Sequence, residues 1–212
     1  MRKAGDLIAQ MLRSSSALDR KVVGEGEYGV VYESDTPGYV VKEAKTFNED
    51  LTREANFQSI AADMGIAPRV AAVESSPFEY DIFEMQDARP NFELHRTNRQ
   101  FPSGRDAVRV NQQLGALALK GIDLDDRHTG NVMYNKMTGR PLQLDFGKSR
   151  KVTGEDQVAA LTNATEAGLA AAGLGDVAEI YSATVYDLLA GGDVAEAMDV
   201  AKQGFSRLQK IK

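Results

Sequence analysis

The sequence predicts an α+β chain of two lobes, a mainly β part followed by a helical part. Residues 19–85 carry valine, tyrosine, phenylalanine and glycine in short runs, whereas residues 152–212 are rich in alanine, leucine and acidic residues. One helix interrupts the strands and helices alone close the chain, an order that fits two lobes better than interleaved βα units. The 212 residues suffice for one ordinary domain or two small lobes, and no repeat or low-complexity linker divides them.

The elements follow in order. Ala4–Leu12 puts Leu7, Ile8, Met11 and Leu12 on one helical face, and Ser14–Ser16 ends that short amphipathic helix, expected to pack on the β part. Arg20–Val23, Val30–Ser34 and Tyr39–Glu43 are β-branched runs between glycine-containing turns and are read as strands. Asp35-Thr-Pro-Gly38 supplies the turn between the last two. Asn48 is expected to cap a helix reaching about Met64, with Glu49 and Asp50 in its first turn. Arg69–Val73 and Tyr80–Met85 read as two more strands. Ser103 with Asp106 resembles a capping box, and the helix after it shows Val110, Leu114 and Leu117 at helical spacing. Gly173–Gly175 and Gly191-Gly192 punctuate three alanine-rich segments, expected as short helices.

Composition removes several chemistries. There is no cysteine, hence no disulfide, thiolate metal site or cysteine nucleophile. Two histidines without paired-ligand spacing make a zinc site improbable, and the net charge of −6 argues against nucleic-acid binding. No apolar run approaches the ~20 residues that span a bilayer, and Met1–Arg13 shows no Sec-type leader pattern. The expectation is a soluble protein with neither nucleic acid nor membrane as partner.

What remains is carboxylate, lysine and backbone chemistry. Gly24-Glu-Gly-Glu-Tyr-Gly29 is a G-x-G-x-x-G run followed by Val30-Val-Tyr32, a strand where a dinucleotide-binding loop would continue as a helix. With Val31 two positions after Gly29, the pattern is G-x-G-x-x-G-x-V. Glycines let backbone N–H groups approach phosphates that a Cβ would hold away. Lys42 ends the apolar run Tyr39-Val-Val, placed to aim an ammonium under such a loop. Glu54, mid-helix near Phe57 and Ile60, is preferred over first-turn Glu49 as its partner. Further on, Asp126-Arg-His-Thr-Gly-Asn131 is D-x-x-x-x-N with an apolar strand after it. Asn135-Lys-Met-Thr-Gly139 turns that strand back toward Asp145-Phe-Gly147. Two aspartates and an asparagine so spaced can hold Mg²⁺ through oxygen and accept a hydroxyl proton.

Glycine loop, strand lysine, helix glutamate, D-x-x-x-x-N and D-F-G in this order resemble the protein-kinase-like superfamily over about residues 22–149. The resemblance implies a bilobal protein-kinase-like fold: a helical extension at 1–18, a β-rich N-lobe at 19–86 and a truncated helical C-lobe at 87–212. It implies ATP and Mg²⁺ as cofactors, with Gly24, Gly26, Gly29 and Val31 around the nucleotide and Lys42, paired with Glu54, on its phosphates. Asp126 is then the base or the group that orients the acceptor hydroxyl, and Asn131 and Asp145 hold metal. Phe83–Gln86, with Glu84 and Gln86 as contacts, would form the adenine hinge.

The chain departs from the family where Leu124-Asp125-Asp126 stands in place of H-R-D. The missing arginine normally pairs with a phosphorylated activation loop, whereas Asp125 repels a phosphate. His128 stands where serine/threonine kinases place lysine; it either contacts the transferring phosphate or bonds structurally, and His95 reads as a surface residue. The stretch after Gly147 lacks A-P-E and is short. In this the chain resembles the reduced kinases that bacteria inject into host cells or that phages encode. That resemblance implies Ser/Thr phosphorylation of a protein substrate (a host protein among them), autophosphorylation included, and an activating protein partner or another docking surface. It would act in the bacterial cytoplasm or in a host cell. The alternatives are a small-molecule kinase of the aminoglycoside-phosphotransferase type, a pseudokinase that binds a partner, and AMP transfer on the same fold.

Overall fold

The computed structural model describes residues 20–46, 49–76, 79–94, 103–126 and 129–212. The expected Ala4–Leu12 helix, Asn48, His95 and His128 lie outside them. Contacts divide the chain into two compact units, Met1–Phe92 with Leu142–Gly147, and Glu93–Pro141 with Lys148–Lys212. The first unit thus extends past the expected limit at 86 and takes the D-F-G segment back from later in the chain.

The first unit is a five-stranded antiparallel sheet with one helix. Strands β1 (Val22–Glu25), β2 (Gly29–Glu33), β3 (Tyr39–Ala44), β4 (Val70–Ser76) and β5 (Glu79–Gln86) adopt the order β1-β2-β3-β5-β4. Between β2 and β3 the turn runs Thr36–Tyr39, one residue later than expected. Tyr39 N–H donates to Thr36 O at 3.2 Å, and Gly38 takes φ 84°, a value glycine accepts without strain. Helix α1 (Leu51–Asp63) is capped by Asp50, whose carboxylate accepts from Arg53 N–H at 2.8 Å. Asn48 is therefore not the cap, and Glu49 instead accepts the Lys45 N–H at 3.0 Å before the helix begins. α1 turns Leu51, Glu54, Ala55, Gln58 and Ala61 inward, and Leu51 and Ala55 pack with Ala44 and Phe83 of the sheet. Gln58 ties the helix to the strand that follows by donating to Pro68 O at 3.0 Å. The returning segment is held by Gln143 N–H on Ile66 O at 2.7 Å.

In the second unit, helix α2 (Gly104–Leu119) starts at the expected cap, with Ser103 Oγ accepting from Asp106 N–H at 3.2 Å. β6 (Phe92–Leu94) precedes it and β7 (Ile122–Asp123) follows it. A single 3-10 turn at Thr129–Asn131 leads into β8 (Val132–Asn135), and the chain returns as β9 (Pro141–Gln143). The intervening turn is closed by Gly139 N–H on Asn135 O at 2.8 Å and by the Asn135 side chain, which accepts from Met137 and Thr138 N–H. β10 (Arg150–Lys151) pairs antiparallel with β7. Helices α3 (Gly154–Ala171), α4 (Gly175–Ala190) and α5 (Val194–Leu208) close the chain. They are 18, 16 and 15 residues long, not the short pieces the glycines suggested, because Gly173 and Gly192 sit just past helix ends at φ 80° and 82°. Val108, Val158, Leu161, Leu169, Val185 and Phe205 belong to one continuous core.

Small residues set the helix spacing in this core. A Cβ at Gly115 of α2 would overlap the Phe205 ring of α5, and one at Gly168 of α3 would come within 2.6 Å of the Leu208 side chain. Gly115→Ala is expected to lower stability by about 1–3 kcal/mol through overpacking, despite about 1 kcal/mol of helix propensity gained. Gly175→Ala, at a position with nothing within 4 Å, is expected to be neutral or mildly stabilising. Urea unfolding midpoints of the two variants check this.

Candidate active site

The first unit assembles a charged triad from three separate elements. β3 runs between β2 and β5, with Lys42 opposite Val31 on one side and Phe83 on the other. Val40 and Val41 bury this strand, and the Lys42 side chain is itself 7% exposed. Its Nζ lies 2.6 Å from Glu54 Oε1 and 3.3 Å from Asp145 Oδ1. Glu54 is 2% exposed, so the ammonium and this carboxylate are both out of water. Burial pushes the Lys42 pKa down, but the charges and hydrogen bonds of Glu54 and Asp145 overcome it and the net shift is upward. For Glu54, burial raises the pKa and the Asp145 charge adds to it. Lys42 and the Phe146 backbone N–H offset only part, so Glu54 stands above the usual carboxylate range.

Asp145 is placed by strain and by its own neighbours. It is the one non-glycine among the described residues with positive φ, at 54°. Its Oδ1 accepts from Gly147 N–H at 3.2 Å, and Arg53 of α1 donates to Gly147 O at 3.3 Å. A Cβ on Gly147 would sit 3.0 Å from the Tyr28 ring, so the loop tyrosine packs closely on this glycine. Two carboxylates face one ammonium, and the surplus one is Asp145, whose side chain is 28% exposed and able to take a further cation.

The glycine loop joins β1 to β2 over this triad. Gly26 N–H donates to Gly29 O at 2.9 Å, closing the tip. Gly29 is required sterically: a Cβ there would stand 2.8 Å from Glu43 O and 3.0 Å from Lys42 Cε. A Cβ on Gly26 would meet Asp145 Oδ2 at 3.7 Å, so the loop lies against the carboxylate, while Gly24 faces Val31 across the strand pair. Lys45 and Glu25 pair at 2.7 Å at the edge, which answers one of the two loop glutamates.

The second unit carries Asp126 and Asn131. Leu124 is buried, and Asn131 Nδ2 donates to Asp126 O at 3.2 Å, fixing the loop and leaving the amide oxygen as the atom able to face a cation. Lys148 Nζ lies 3.7 Å from Asp126 Oδ2. Ser149 beside it is buried at 1% exposure.

The residues expected as the hinge, Phe83–Gln86, belong to β5, with β3 on one side and β4 on the other, and Gln86 N–H donates to Arg69 O at 2.8 Å. Glu84 is buried and its carboxylate takes the Ser34 hydroxyl. The chain leaves the sheet after Asp87 N–H bonds Gly38 O. Sequence reasoning missed Arg53, Tyr28 and Lys148. Their only sequence signals are adjacency to Glu54, to Gly29 and to the D-F-G run.

No family model matches the chain, and no curated protein matches it in sequence. Among solved structures it is similar to the PK-1 kinase of Cydia pomonella granulovirus, with a TM-score of 0.52 and 15% identity over 70% of this chain. The chain spans 59% of the length of that kinase. With the antiparallel five-stranded sheet and the helical second unit, this shows a protein-kinase-like fold.

Replacing Lys42 tests the triad through pH. Lys42→Met leaves Glu54 buried without its cation, a loss of about 3–5 kcal/mol near neutral pH. A raised folded-state pKa makes its contribution complete at low pH and lost as pH climbs through the folded value. Without Lys42 that rise in Glu54 is larger, so the variant's melting temperature should approach wild type near pH 5 and fall behind it toward pH 8. A gap constant across this range would contradict the assignment.

Proposed function

We propose that the chain is an ATP-dependent protein kinase that transfers the γ-phosphoryl group to Ser/Thr hydroxyls, its own included. The observation that carries this is the Lys42–Glu54–Asp145 triad assembled under a glycine loop within one compact unit. A lysine held by a helix glutamate is the charge that phosphoryl transfer requires on the nucleotide phosphates. The donor set suits Mg²⁺: an exposed carboxylate on Asp145 and an amide oxygen on Asn131 are hard oxygen ligands. Bound Mg²⁺ would supply neutralisation of phosphate charge.

The residues then divide the work. The glycine loop Gly24–Gly29 covers the phosphates and Lys42 binds them. Asp126 orients the acceptor hydroxyl and takes its proton as the oxygen–phosphorus bond forms and the bond to ADP breaks. Catalysis is positioning and charge neutralisation, with no covalent enzyme intermediate.

Phosphate transfer from γ-labelled ATP with Mg²⁺, alone and with a generic protein acceptor, tests the reading. Asp145→Asn should cut labelling at least about 100-fold with the melting temperature kept, because asparagine tolerates the left-handed backbone at φ 54°. No labelling by the wild-type chain with any protein acceptor, against rapid labelling of a small metabolite, would overturn it.

Phosphorylation of the short segment after Gly147 should not be required. Ser149 is buried, and Asp125 stands where a phosphate-pairing arginine would be needed. Phosphatase-treated and untreated enzyme should therefore turn over at equal rates.

A further inference from the structure

We propose that Lys148 is the positioning residue for Asp126, holding the carboxylate of the base in place. This rests on the kinase reading above. The ammonium lies 3.7 Å from Asp126 Oδ2, with the two side chains 37% and 26% exposed. An isolated surface pair at that distance is worth little, because two long side chains must be ordered to make it. Here the backbone does the ordering on both sides. Arg150 pairs with Asp123 and Lys151 with Ile122 in the β7–β10 ladder, and Val152 N–H donates to Gly121 O at 2.8 Å. β10 begins two residues after Lys148 and β7 ends three residues before Asp126, so the ladder anchors the chain on both sides close to the pair.

Charge matching supports the same assignment. The stretch Asp123-Leu-Asp-Asp126 carries three carboxylates in four residues. Arg150 answers Asp123, with Nε and Nη2 at 3.2 and 3.0 Å from Oδ2, and Lys148 answers Asp126. Asp126 is held from the other side through its backbone, where Asn131 donates to its carbonyl. Lysine suits this role, since its ammonium has three donors and is a compact point charge. It stays protonated through the step. The acceptor oxygen bonds to the γ-phosphorus, the bond to the ADP oxygen breaks with its electron pair, and the hydroxyl proton passes to Asp126.

Steady-state transfer from ATP–Mg²⁺ by Lys148→Met, Lys148→Arg, Asp126→Asn and the Lys148→Met/Asp126→Asn double variant tests this. Lys148→Met should lower kcat about 100- to 1,000-fold with KM for ATP and melting temperature unchanged. Lys148→Arg, which keeps the charge, should recover most of the rate. The double variant should lose no more than Asp126→Asn alone, as groups that act as a unit do. A Lys148→Met enzyme within threefold of wild type, a loss in melting temperature matching the loss in rate, or additive losses in the double variant would each overturn the proposal. Absence of transfer by the wild-type chain is a different result, which removes the kinase reading and Lys148's role with it.

Discussion

The buried Lys42–Glu54 pair is the constraint on which the rest of the β unit depends. A charge taken out of water without a partner costs several kcal/mol, so an interior strand can carry a lysine only if a carboxylate comes to meet it. Glu54 does so from α1, which fixes the rotation of that helix: its apolar neighbours Leu51 and Ala55 must then face Ala44 and Phe83. Gly29 belongs to the same constraint, since any side chain there would displace the Lys42 stem. The pair is poor as a source of stability. It is well suited to hold an ammonium at one place until an anion arrives.

Asp145 gives this arrangement its chemical direction. Lys42 and Glu54 alone are neutral together; Asp145 adds a second carboxylate 3.3 Å from the ammonium, on a backbone strained into the left-handed region. Strain of this kind persists where surroundings over-determine it. Here they are the Gly147 N–H on the carboxylate, Arg53 on the Gly147 carbonyl and the Tyr28 ring against Gly147. The glycine loop, the helix and the D-F-G run are therefore each braced by the others, and one substitution is felt at all three.

Much of this was legible in the sequence because glycine spacing, a lysine after an apolar run and D-F-G each carry a steric or electrostatic reason of their own. Glu54 was separable from Glu49 by its place in the helix, and the structure puts Glu49 before the helix, on the Lys45 N–H. What failed were choices between near neighbours. Asp50 caps α1, a decision between two good capping residues that depends on where the helix begins. The burial of the Glu84 side chain against Ser34 was also out of reach, because it is a pairing between residues fifty apart that no local pattern reveals. The helices α3 to α5 were read as short because a glycine just past a helix end and one inside a helix look alike in sequence. Lys148 carried no signal beyond its place after the D-F-G run, since its pairing arises only when β10 meets β7.

The division of the chain has a consequence for how its two sets of groups are built. Leu142–Gly147 belongs by its contacts to the β unit, so the triad forms within one compact unit although Asp145 comes from far along the chain. The loop from Asp123 to Asn131 is organised separately, by the β7–β10 ladder, the Arg150–Asp123 pair and the Asn131 bond to Asp126. Lys148 follows Gly147 directly and opens the second segment of the other unit. A single peptide bond therefore joins the residue that Arg53 holds to the residue that holds Asp126. The placement of Lys148 within its own unit follows from the local pairing of β10 with β7.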